Sequence, residues 1–193
     1  MPHIPLADGL PGIRGLVAFR PETGGPLYDL AEALLVGPSP IARADRELIA
    51  AYVSSLNECA FCAGSHASAA RHLFGADADV VDAVLADVET APVSDKMRAL
   101  LRIAGKVQRG GRTVTDADVA DAHAAGAGDL DVHDTVLIAA AFSMFNRYVD
   151  GLATLAPDDP DAYDEMGRRM AETGYAGRVP GPAVADVGAA EAT

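Results

Sequence analysis

Apolar side chains recur along this chain at three- and four-residue spacing, the pattern of helices that bury one face, and no stretch reads as an alternating strand. A short helix is predicted over 27–36 and stopped by Gly37-Pro38-Ser39-Pro40. The next, over 41–57, places Leu48, Ile49, Tyr52, Val53 and Leu56 on one face, with Glu47 at its edge. Asn57-Glu58 reads as a break, and a new helix begins at or beside Cys59 and runs to Phe74, ended by Gly75. A short helix follows over 79–88 and closes before Pro92. Ser94 is a capping-type start for a helix to about Gln108, ahead of Gly110-Gly111. Thr115, with Asp118 three residues on, starts another short helix to Ala125. The longest helix is expected over 131–155. Its run 136–142 is apolar all round, which predicts burial on every side, in a core or a subunit interface. Pro160 opens a last helix to Thr173.

The expected organisation is thus an all-α domain over 27–173. Residues 1–26 are rich in proline and glycine and read as an extended arm that packs on the body or on a neighbouring subunit. Residues 174–193, with their Gly, Pro and Ala, read as a flexible tail. The total of 193 residues suits one domain. Half the residues are apolar but only 5% are aromatic, so alanine carries much of the apolar share and favours close helix packing.

Charge removes several classes of function. A formal net charge of -13 repels phosphate backbones and anionic lipid, so neither nucleic acid nor a membrane surface is an expected partner. The run 136–142 is too short to span a bilayer. The opening MPHIPLADGLPGIRG lacks a basic segment followed by an apolar one, so no signal peptide is expected and a cytoplasmic location is.

Candidate chemistry concentrates between Glu47 and His66. Both cysteines of the chain lie there, as Cys59-Ala60-Phe61-Cys62. In a reducing compartment such a pair is redox-active or metal-binding rather than a structural disulfide. On a helix starting near Cys59, Cys62 and His66 follow at successive turns of one face. The unpaired N–H groups of the first helical turn favour a thiolate there. Glu47 can join them if its helix packs antiparallel or at a steep angle to theirs. The set would then hold a nucleophile, a proton carrier and a resolving thiol.

Glu47, eleven intervening residues, then Cys59-x-x-Cys62-x-x-x-His66 resembles the signature of the AhpD-like alkylhydroperoxidases, within the carboxymuconolactone decarboxylase superfamily. Ile49-Ala50-Ala51-Tyr52, Gly64-Ser65-His66-Ala67 and the segment 145–152 are similar to the peroxidase-related branch. The resemblance implies an AhpD-like helical bundle, assembled as a homo-oligomer (trimer or hexamer). It implies thiol peroxidase chemistry on a hydroperoxide, with no cofactor and with an external dithiol as reductant. Cys62 would be peroxidatic, Cys59 resolving, and Glu47 and His66 the proton relay. The best-studied family pattern has a histidine just before the second cysteine. Phe61 stands there, removing one proton carrier and making the pocket more apolar.

Other readings stay open from the residues alone. Cys59, Cys62, His66 and Glu47 are four possible zinc ligands, although no second cysteine pair completes a structural site. A thioredoxin-like reductase needs strands beside its Cys-x-x-Cys, and none is predicted. A decarboxylase of the same superfamily would not need the cysteines, and a non-catalytic helical oligomer would need none of the four. Tyr52, one turn past Glu47, is either core or a support for its carboxylate. Asn146 and Arg147 either line the pocket or a subunit contact or, for a buried arginine, pair with Asp150. His72, His123 and His133 read as surface or helix-end residues, and the acidic stretches 77–82 and 158–164 as solvated helix starts.

Overall fold

The helix starts lie where the capping residues put them. Ser94 Oγ accepts from the Met97 N–H at 3.1 Å, and Thr115 and Asp118 satisfy each other's backbone N–H groups reciprocally. Asp159 Oδ1 accepts from the Asp161 N–H at 3.0 Å, with Pro160 in the first turn. The computed structural model of the chain describes residues 1–176. Its helices are α1 (Ile13–Phe19), α2 (Pro21–Leu35), α3 (Arg43–Leu56), α4 (Ala60–Phe74), α5 (Asp79–Ala86), α6 (Asp95–Arg109), α7 (Asp116–Ala124), α8 (Asp129–Gly151) and α9 (Pro160–Thr173). Two short 3₁₀ turns, Gly75–Asp77 and Gly111–Thr113, complete the set, and no strand occurs among the described residues. The all-α expectation holds.

The centre of the fold is the α3–α4 hairpin. Only three residues join the two helices, so they run antiparallel. Leu48, Ile49, Ala50, Ala51 and Val53 of α3 are all fully buried. On α4 the run Ala67-Ser68-Ala69-Ala70 is buried all round, because α3 covers one side and α9 the other. Small side chains permit that approach. A Cβ placed on Gly167 of α9 would lie 2.2 Å from Ser68 Oγ and 2.6 Å from the Ala69 backbone nitrogen. The outer side of α3 packs on α6 and α8, and α5 and α7 close the far end.

Three expectations are corrected. The 1–26 arm is partly helical: α1 and the first turn of α2 lie in it, since Pro21 at the first helical position has its φ already set and needs no N–H partner. Leu16 and Val17 of α1 are buried, so the segment does pack on the body, as a helix and not as an extended arm. The core reading of the run 136–142 does not hold: within one chain it is buried on one side only. Ile138 and Ala139 face the core, while Leu137 is 39% exposed and Met144 beyond it 43%, because α8 is covered on a single face within one chain. Arg147 falls on the exposed side and donates to the Ser143 carbonyl at 2.7 Å, so it is not a buried arginine needing Asp150.

Gly167→Ala is expected to destabilise the chain by about 1–3 kcal/mol through overpacking at the α4–α9 contact. Gly25→Ala, whose Cβ would meet nothing within 4 Å inside α2, is expected to be neutral or stabilising by up to about 1 kcal/mol. Urea midpoints of the two variants against wild type check both signs.

Candidate active site

A polar clamp fixes the turn between α3 and α4. Asn57 ends α3, Glu58 takes a left-handed φ of 59°, and the Cys59 N–H bonds back to the Ser54 carbonyl at 3.0 Å. Asn146, 1% exposed on α8, reaches across: its Oδ1 accepts from Asn57 Nδ2 at 2.8 Å and its Nδ2 donates to Ser54 Oγ at 3.0 Å. Asn146 therefore supports the turn that presents the cysteines and does not line the pocket.

Cys59 is the N-cap of α4 and Cys62 lies in its first turn. Both are free thiols. They differ in access. Cys59 is fully buried among Leu16, Phe61 and Val149, whereas Cys62 opens onto a cavity. A hydrogen bond with Cys62, reinforced by burial, pushes the Cys59 thiol well above the usual range. The pair is thus asymmetric, with a protonated Cys59 behind a Cys62 that faces the cavity.

Glu47 and His66 lie at similar heights on the antiparallel helices, and their side chains meet. His66 Nδ1 is 2.7 Å from Glu47 Oε2. The carboxylate can only accept, so Nδ1 carries the proton and Nε2 is the ring nitrogen left for the cavity that His66 lines. Phe142 holds the imidazole edge-on, with ring centroids 4.6 Å apart. Glu47 is fully buried. Its second oxygen is satisfied by a residue the sequence reading placed in the flexible tail: Tyr175 donates its hydroxyl to Glu47 Oε1 at 2.7 Å and stacks on His66.

Gly174–Ala176 are thus no loose tail. Gly174 stops α9 with φ +66°, where a side chain would be strained and would also meet Glu32 Oε2. Glu32 on α2 then accepts from the N–H groups of Tyr175 and Ala176, at 2.6 and 3.1 Å. Arg43 on α3 donates to the carbonyls of Met170 and Ala171, at 2.5 and 2.8 Å, holding the last turn of α9. A single aromatic after a helix-ending glycine is the only sequence signal for this contact. The rest of the predicted tail, 177–193, lies outside the described residues. Tyr52, the aromatic proposed from the sequence as a support for Glu47, instead places its hydroxyl against Gly105 of α6.

The cavity has a volume of about 420 Å³. Residues of α1, α2, α4, α8 and α9 line it, with Tyr175. Cys62, Ser65 and His66 form its chemical wall, Phe61, Phe142 and Phe145 its apolar wall, and Arg14 and Arg169 also contribute. Arg147 is absent from it. Among the described residues no three His, Cys, Asp or Glu side chains are grouped to hold a metal ion.

The helical fold is shared with solved structures of proteins described as peroxidase-related. An uncharacterized peroxidase-related protein from Silicibacter sp. TM1040 superposes with a TM-score of 0.75 at 25% identity, covering 86% of this chain and 96% of that one. The alkylhydroperoxidase AhpD core of an uncharacterized peroxidase-related protein from Ralstonia eutropha JMP134 gives 0.72 at 26%, covering 82% and 81%. A protein of unknown function from Agrobacterium tumefaciens, 21% identical over 72% of this chain and 93% of that one, shares the fold with a TM-score of 0.61. No curated protein matches the chain. Residues 21–106 match the carboxymuconolactone decarboxylase family, and the chain is similar in fold to AhpD-like, peroxidase-related proteins. No described helix is long and apolar enough to cross a membrane.

Removing the Tyr175 hydroxyl leaves Glu47 Oε1 buried without its donor, so Tyr175→Phe is expected to cost about 1–3 kcal/mol in denaturant unfolding. Iodoacetamide at neutral pH is expected to label Cys62 first and to leave Cys59 unlabelled in the native protein, as read by peptide mass spectrometry.

Proposed function

We propose that the chain is a thiol peroxidase that reduces organic hydroperoxides. The observation that carries this reading is the asymmetry of the pair: Cys62 opens onto the cavity beside His66, and Cys59 is fully buried behind it. His66 Nε2 takes the Cys62 proton, and the imidazolium so formed is held by Glu47, itself held by Tyr175. The Cys62 thiolate attacks one peroxide oxygen. The O–O bond breaks, Cys62 becomes a sulfenic acid, and the departing alkoxide takes the proton back from His66 as the alcohol. Cys59 then condenses with the sulfenic acid, releasing water and forming a Cys59–Cys62 disulfide. An external dithiol restores both thiols by exchange and leaves as its own disulfide. The three phenylalanines of the cavity wall suit an organic peroxide better than a small polar one.

The family match also admits a decarboxylase, which would use the cavity without consuming thiols. A cytoplasmic setting, where thiols are kept reduced, suits the peroxidase cycle. We also propose a homo-oligomer, a trimer or hexamer, in which the exposed Leu137 and Met144 of α8 meet another copy.

Cys62→Ser is expected to abolish hydroperoxide consumption. Cys59→Ser is expected to stop at a sulfenic acid on Cys62 that dimedone traps. Glu47→Gln is expected to slow the first step by about 10²–10⁴-fold, the range for a lost acid–base function. Stopped-flow peroxide loss with mass analysis checks all three. Full activity in Cys62→Ser would remove the proposal.

A further inference from the structure

The chain carries 28 acidic side chains against 15 lysines and arginines, yet among the described residues no aspartate or glutamate lines the cavity above Cys62. Two arginines do, Arg14 from α1 and Arg169 from α9. Arg14 is half-buried, and no hydrogen bond or ion pair ties its guanidinium to another described residue. On a protein otherwise this acidic, two guanidinium groups at one apolar cavity form a local patch of positive charge that attracts an anion the rest of the surface repels. Apart from Cys62, Ser65 and His66, the remainder of the wall is mainly aliphatic and aromatic, including Leu27, Phe142 and Met166. A volume of about 420 Å³ lies within the range of roughly 300–1,000 Å³ typical of small-ligand pockets.

The geometry points to a specific substrate class: a hydroperoxide carried on an aliphatic acid, with its carboxylate on Arg14 and Arg169 and its chain along the apolar wall toward Cys62. Guanidinium groups suit a planar carboxylate, which can accept two parallel N–H donors. The product is the corresponding hydroxy acid, since the peroxide oxygen lost to Cys62 leaves an alkoxide that is protonated in place. This inference rests on the peroxidase reading above, which it narrows. Neither arginine takes part in the cysteine chemistry. Their part is binding, which sets which hydroperoxide reaches the thiol.

The test compares linoleic acid hydroperoxide with its methyl ester, below the concentrations at which either aggregates, by the rate of thiol loss from reduced protein. The acid is expected to react at least about tenfold faster, the factor of one charge-assisted hydrogen bond. In Arg14→Gln/Arg169→Gln that ratio is expected to fall to about one, while Arg14→Lys, which keeps the charge, retains part of it. Equal rates for acid and ester in wild type, or a ratio that survives the double variant, would overturn the inference while leaving the peroxidase reading intact. A preference that moves with the dithiol reductant's KM instead of the hydroperoxide's would overturn it too, by assigning the arginines to the reductant. Calorimetry of decanoate and decanol with Cys62→Ser separates the two claims. If no hydroperoxide consumes thiols, tighter binding of decanoate by about tenfold or more upholds the anion pocket and removes only the peroxidase chemistry. Equal binding of the two removes the pocket assignment as well.

Discussion

A carboxylate with no exposure to solvent, Glu47, sets the terms for the whole structure. Burying such a group costs several kcal/mol unless both oxygens are hydrogen-bonded. Here both are, one by the His66 imidazole and one by the Tyr175 hydroxyl. Those donors come from α4 and from the segment after α9, so the hairpin and the return of the chain at Gly174 are both conditions for hiding the charge. An apolar side chain of similar volume at this position would often pack at least as stably. The carboxylate is therefore best understood through the imidazole it orients, and the cost of its burial as a cost of the chemistry.

The helices around it are arranged to keep that couple fixed and one face of Cys62 open. Arg46 is buried and donates to the Leu34 and Gly37 carbonyls, closing the end of α2. Arg43 does the same for α9, three residues earlier on the same helix. Helix C-termini are where cationic side chains are most favourable. The two arginines of α3 thereby anchor the two helices that, with α1 and α8, wall the cavity. Asn146 plays the equivalent part for the turn before Cys59. Small residues of α4 let α3 and α9 approach closely, which is why the site is rigidly framed although it sits near the N-terminal arm.

Much of this was legible in the sequence, for identifiable reasons. Helical spacing alone puts Cys62 and His66 on one face, and a three-residue turn brings Glu47 opposite, so the candidate set needed only local geometry. Tyr175 was not legible. Its contact spans 128 residues of chain and follows a helix end in a segment of Gly, Ala and Pro that otherwise carries no periodic pattern. Tyr52 drew attention by its sequence proximity to Glu47, yet its hydroxyl belongs to the α3–α6 packing. Arg147 was misplaced because an apolar run was taken to be buried all round. The helix phase, which puts Leu137 and Met144 outward, puts Arg147 there as well. The arm was misjudged because prolines that break a helix in its interior are compatible with its first turn.

The account's central claim is that Cys62 and Cys59 are consumed together by a hydroperoxide. The most direct measurement is a free-thiol count on reduced, metal-free protein before and after one equivalent of an organic hydroperoxide. The account predicts rapid loss of both thiols in the wild type and no loss of Cys59 when Cys62 is serine. Two thiols that persist in the wild type through that dose would contradict it.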